Sequence, residues 1–128
     1  MSSTPSRTVT AGSQRDRDEQ IAEGELGALL GALENDDCRS ILEATSEQAL
    51  STSELCEQCG LSTSSAYRKV DTLTEVGLLE ESVRVHPTGS HTSEYRLAVD
   101  RLEMSLGSEG LDVSVSRREA APPTLSAD

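Results

Sequence analysis

A capping box at Ser51 and Glu54, followed by glycines at positions 60 and 77, restricts the possible folds of this chain more than any other feature. A serine that caps a helix, with a glutamate three residues on that caps it back, marks a helix start. Leu55, Cys56 and Cys59 then fall at i, i+1 and i+4, the apolar stripe of a short helix. Gly60 ends that helix, because glycine enters the left-handed backbone region without steric cost. Leu61 anchors the turn and Ser62 is a second N-cap. A longer helix runs from there to about Val76, with Ala66, Val70, Leu73 and Val76 on one face, and Gly77 stops it. Two helices joined by a turn of three to four residues containing glycine make a helix-turn-helix.

The residues that follow make the assignment more specific. Leu78-Leu79 opens a strand-like run to Val85, the turn signal His86-Pro87-Thr88-Gly89-Ser90 interrupts it, and Glu94 to Val99 alternates as a second strand through Tyr95, Leu97 and Val99. A hairpin directly behind the second helix is the wing of a winged helix. Upstream, Leu26, Leu29, Leu30 and Leu33 form one amphipathic helix. Cys38, Ile41, Leu42 and Thr45 form another, with Asp36 or Asp37 as its expected cap. Ala49-Leu50 is placed to add a short strand to the wing.

With these residues in view, the chain resembles the small winged helix-turn-helix transcription regulators of the ArsR type, most closely those of salt-loving archaea. Ile41-Leu42-Glu43-Ala44-Thr45, Ser53-Glu54-Leu55, Leu61-Ser62, Ala66-Tyr67-Arg68, Leu73-Thr74-Glu75 and Gly77-Leu78-Leu79-Glu80-Glu81 carry the resemblance, which covers roughly residues 25 to 117. It implies an α+β fold of three to four helices plus a β-wing, binding to double-stranded DNA, and a homodimer.

After Val99 the alternation slips by one residue. Apolar positions are odd up to Val99 and even at Leu102, Met104 and Leu106, as a β-bulge near Asp100-Arg101 would produce. Gly107-Ser108-Glu109-Gly110 is a turn, and Leu111, Val113 and Val115 resume the pattern. An additional C-terminal hairpin over 101–118 therefore stands where many proteins of the ArsR type have a dimerising helix. The winged domain itself spans 24–100. Residues 1–23 and 119–128 read as loose tails, because they have little to bury. Arg7, Arg15 and Arg17 offer an alternative use of the first tail, as an arm on DNA.

The net charge of −12, from 23 acidic against 11 basic residues with Lys69 the sole lysine, taken alone opposes nucleic-acid binding. Excess carboxylate with almost no lysine is, however, the signature of a proteome working in molar salt. There the Debye length is about 3 Å, so general acidity no longer repels DNA at a distance. With no Phe or Trp, the core must come from Leu, Val, Ile and Ala. No signal peptide or membrane span is legible, and three cysteines fit a reducing cytoplasm.

Opposite the apolar face of the second helix lie Ser64, Arg68, Asp71 and Glu75, with Tyr67 and Thr72 beside them. Base edges are met by the N-terminal half of such a helix, which selects Thr63, Ser64, Tyr67 and Arg68, while Ser62 stands with the first-turn amides toward a phosphate. Arginine bonds guanine bidentately, hydroxyls donate to phosphate, and the first-turn amides form an anion site. The plain alternative is a solvated face, with Arg68 paired to Asp71 or Thr72. In the wing, Arg84, His86, Thr88 and His91 surround the proline-glycine tip and could meet the sugar-phosphate backbone. Cys56 and Cys59, with Cys38, invite a metal or thiol-sensor reading, but one CxxC is weak support for zinc, and a buried thiol behaves as a small hydrophobe. No catalytic order of residues stands out, so neither enzyme activity nor a cofactor is expected. A protein-interaction module on the same fold is the alternative from another functional class.

Overall fold

A computed structural model describes residues 18–21, 23–119 and 124–125. Four helices, α1 (Glu23–Glu34), α2 (Asp36–Ala44), α3 (Thr52–Cys59) and α4 (Thr63–Glu75), precede most of the strands. These are β1 (Asp18–Gln20), β2 (Leu79–Val85), β3 (His91–Leu97), β4 (Val99–Gly107), β5 (Gly110–Arg117) and β6 (Thr124–Leu125). The result is an α+β winged helix-turn-helix with a second, C-terminal hairpin.

Local chemistry accounts for the helix boundaries. Ser51 accepts the Glu54 amide at 3.2 Å while the Glu54 carboxylate accepts the Ser51 amide at 2.8 Å, completing the capping box. Gly60 closes α3 at φ +67°, in the left-handed region. Ser62 caps α4 by accepting from the Ser65 amide at 3.2 Å. The cap of α2 is Asn35, whose side chain accepts from the Cys38 amide at 2.9 Å, and neither of the expected aspartates. Asp36 and Asp37 instead occupy the first turn, where negative charge opposes the positive end of the helix dipole.

Leu29, Ile41, Leu55, Val70 and Leu73 are essentially solvent-free and meet Leu79 of the wing with Val113 and Val115 of the second hairpin. That a single cluster takes residues from both hairpins shows that the base of the C-terminal hairpin belongs to the domain core. Leu50 and Tyr95 exchange both backbone hydrogen bonds, at 2.8 and 2.9 Å, so the expected short strand before α3 is one isolated bridge to the wing.

The strands form two sheets of three, ordered β3-β2-β6 and β1-β5-β4. The second wing strand starts at His91 and stops at Leu97, rather than running from Glu94 to Val99. Ala98 is where the chain changes sheets: its amide donates to Leu78 of the first at 3.0 Å, and its carbonyl accepts from Arg118 at 2.8 Å. The register slips between Val99 and Arg101, at the expected bulge. Arg117 and Arg118 fasten the end of β5. Arg117 donates to the Gly77 carbonyl at 2.7 Å, and Arg118 donates to the Ser46 carbonyl and to Asp100, both at 2.6 Å. The Arg117 guanidinium lies where a side chain at residue 77 would go, but as the end of a flexible chain it could move, so it is the φ of +83° that calls for Gly77.

Both expected tails contribute strand. Residues 18–20 pair antiparallel with β5, and residues 124–125 pair in parallel with β2. Backbone groups on a sheet edge bind any extended segment within reach, whatever its hydrophobicity, which is why composition alone did not reveal these strands. Arg7, Arg15 and Arg17 lie outside the described residues.

Candidate nucleic-acid interface

The core-facing side of α4 is closed: Ala66, Val70 and Leu73 are buried. Its opposite side is open. Ser62, Thr63, Ser64 and Arg68 are exposed, and Tyr67 retains 55% of its accessible surface. No acidic residue occupies the first turn of α4, so the positive end of its dipole is not neutralised from within the helix. Arg68 does not pair with its neighbours. The Thr72 hydroxyl donates to the Arg68 carbonyl at 3.1 Å and leaves the guanidinium alone. Asp71 and Glu75 are exposed further along the helix, so α4 runs from a donor-rich first half to a carboxylate-bearing second half.

The wing holds a charge network that sequence reasoning did not foresee. The Arg84 Nε donates to Glu94 Oε1 at 2.8 Å, and its Nη1 and Nη2 donate to both carboxylate oxygens of Glu54, at 3.2 and 3.0 Å. The Glu94 side chain is 1% exposed, and Ser82 is at 3.5 Å from its second oxygen. Arg84 is thus taken up by two carboxylates inside the protein, rather than standing free at the wing surface as expected. A buried carboxylate needs a cation, and the arginine two residues along on the neighbouring strand is the one within reach. Glu54, already the return half of the α3 capping box, joins that helix to the wing through the same guanidinium. The hydrogen bond from Arg84, followed by that from the Ser51 amide, holds the Glu54 carboxyl below the usual range. The same pairing pushes Arg84 up. An arginine and two glutamates near predicted strands were visible in the sequence, but nothing there told which of the three would be buried.

At the wing tip, Gly89 takes φ +94° and its amide donates to the His86 carbonyl at 2.8 Å. His86 is half-buried, with Nε2 at 2.9 Å from the Thr92 hydroxyl. Thr88 is exposed, its hydroxyl 3.1 Å from that of Ser90, and His91 is exposed. The predicted residues therefore form two groups, one on the first turns of α4 and one around the wing tip, while Arg84 braces the hairpin between them.

Two of the three thiols sit in packing positions, while Cys56 is half-buried and outside the core cluster. Cys38 is buried and Cys59 packs against the core. Burial pushes both thiols up, and the carboxylate of Asp37 adds to the effect at Cys59. Burial thus disfavours the thiolate, the form that attacks and ligates. Among the described residues, no group of three or more His, Cys, Asp or Glu side chains is arranged to hold a metal. Cys59→Ala should lower stability by about 1 kcal/mol, and the melting temperature of the variant should shift equally with zinc and with chelator. A zinc-dependent rise in the wild type alone would refute the packing role.

No helix among the described residues is long and apolar enough to cross a membrane. Residues 33–82, from the end of α1 into β2, match the family described as a helix-turn-helix domain. Among solved structures, the chain is similar to the crystal structure of NolR from Sinorhizobium fredii. The identity is 22%, over 60% of this chain and 72% of that one, with a TM-score of 0.49. Comparison with curated proteins gives no match.

Proposed function

We propose that this chain is a sequence-specific transcription regulator of the ArsR type, acting in the cytoplasm on double-stranded DNA, with α4 in the major groove and the β2–β3 wing beside it. The observation that carries the reading is the outer face of α4: two turns of exposed donors at an uncompensated helix N-terminus, next to a hairpin braced by a buried ion pair. Arg68 bonds a base edge and Tyr67 packs beside it. Ser62, Thr63, Ser64 and the first-turn amides hold phosphate. His86, Thr88 and His91 touch the backbone from the wing, while Arg84 sets the wing's angle without meeting DNA. Asp71 and Glu75 point past the duplex. The chain works in molar salt, needs no cofactor and catalyses nothing. It binds as a homodimer, because operators for such domains are half-sites about one helical turn apart.

Arg68→Ala should weaken binding to a selected operator by about 1–3 kcal/mol while leaving the melting curve unchanged, since an exposed helical arginine adds little to stability. Operator selection from random duplexes in molar KCl, followed by titration of both proteins, measures this. Equal affinities would move the docking face away from α4. Failure to select any sequence would favour the protein-interaction module, the reading to which a net charge of −12 lends support.

A further inference from the structure

The C-terminal hairpin carries its apolar residues on one face, in register: Leu102 opposite Val115, Met104 opposite Val113, and Leu106 opposite Leu111. Burial along this ladder is lopsided. At the base of β5, Val113 and Val115 are each 2% exposed, whereas Leu111 near its tip is 39% exposed, and on β4 Met104 is 54% and Leu106 81% exposed. The base of the hairpin packs in the core, and place in the sheet adds to the difference. β5 is the centre of its sheet, covered by β1 on one side and β4 on the other, while β4 is an edge with no strand beyond it among the described residues. Monomeric proteins blunt such an edge with prolines, lysines or inward charges. From Leu102 to Gly107, β4 has only Glu103, which points to the other face, and the bulge lies behind this stretch. At the base of the same edge, Leu33, Leu42, Leu97, Val99 and Leu102 line an open apolar groove of about 370 Å³. One chain therefore presents both an apolar knob and an apolar hole along a strand edge left open among the described residues.

We propose that β4 pairs with β4 of a second copy of this chain, antiparallel about a two-fold axis at Met104, joining the two three-stranded sheets into one of six. Side-chain alternation selects the register. Directly opposed residues share a face, and an axis at Met104 is the one that opposes the whole apolar run of Leu102, Met104 and Leu106. An axis at Met104 sets Met104 against its own copy and Leu102 against Leu106 of the second copy. An axis at Glu103 would oppose two carboxylates directly and set Leu106 against Asp100. Shifting to Leu102 or Leu106 shortens the paired apolar run. At the Met104 axis, each chain's Leu106 arrives beside the other chain's Leu102, at the mouth of the groove, so the knob of one copy meets the hole of the other. The contact is self-complementary and closes at two copies. It rests on the two-copy reading above and deepens it by naming the surface.

Analytical ultracentrifugation of the full chain in molar KCl, with circular dichroism as a folding control, tests the pairing. The wild type should sediment at twice the 13.6 kDa chain mass, and Leu106→Glu, altering a residue outside the core, should sediment as a folded monomer. Under oxidation Met104→Cys should cross-link to its own copy, while Leu106→Cys, which faces residue 102 of the other chain, and the wild type should not. A wild type that stays monomeric at millimolar concentration would overturn the proposal, as would growth beyond two copies. A dimer untouched by Leu106→Glu, or cross-linked through 106 rather than 104, would overturn this interface while leaving a homodimeric DNA-binding protein intact. DNA binding measured on the same samples reports separately on the proposed function.

Discussion

Replacing Arg84 with methionine should destabilise the protein by about 3–5 kcal/mol, the cost of stranding a buried carboxylate. Glu94 is the carboxylate at risk, since its side chain is 1% exposed and Arg84 is the cation bonded to it, at 2.8 Å. Domains of this size hold about 5–15 kcal/mol in total, so the loss takes roughly a fifth or more of the whole. Urea denaturation of both proteins at pH 7 measures it. Changing both ends together, Arg84→Met with Glu94→Leu, should recover most of the deficit, because an apolar pair of similar volume needs no counter-charge. If the single variant melts with the wild type, Arg84 is not what holds Glu94 in place. The pH dependence has a definite sign. Arg84 and the Ser51 amide lower the Glu54 carboxyl in the folded state. The stability from that group is therefore complete above its unfolded value, near 4.3, and is lost as pH falls through the lower folded one. The part of the gap between wild type and Arg84→Met that comes from Glu54 should thus hold steady from pH 7 to 5 and narrow below about 4.

Leu55→Ala should cost about 2–5 kcal/mol. α3 is eight residues long, too short to persist by itself, and Leu55 is its one fully buried apolar anchor. The leucine packs in the cluster that also contains Val70 and Leu73 of α4, so removing it opens a cavity at the seam of the helix-turn-helix. Operator affinity should fall along with stability, even at temperatures where the variant remains folded, because α3 sets the angle at which α4 is presented. Thermal melts and DNA titrations at 10 °C check the two effects. A large drop in melting temperature with unchanged affinity would show that α4 keeps its pose without a well-packed α3.

The helix-turn-helix could be read residue by residue because each of its signals is local. The caps at Ser51, Glu54 and Ser62 act within three residues of themselves, and Gly60 and Gly77 act on their own backbone angles. The stripe Ala66, Val70 and Leu73 is fixed by helical geometry wherever the helix sits. The slip of phase between Val99 and Leu102 likewise revealed the bulge, since alternation is a property of one strand. The candidate DNA face was legible for the same reason, because knowing the buried side of α4 gives the opposite side. Partner choice over long separations was not legible. Arg84 looked like a free donor at the wing until the fold brought Glu54, thirty residues earlier, and the buried Glu94 to its guanidinium. Asp18–Gln20 looked like tail until β5 offered it an edge. Whether Met104 and Leu106 would be covered depended on which strand became central and which stayed at the rim. Local periodicity determines which side of an element is apolar. Only the assembled sheets and helices decide what lies against that side, because burial and ion pairing depend on neighbours whose distance along the chain carries no signal.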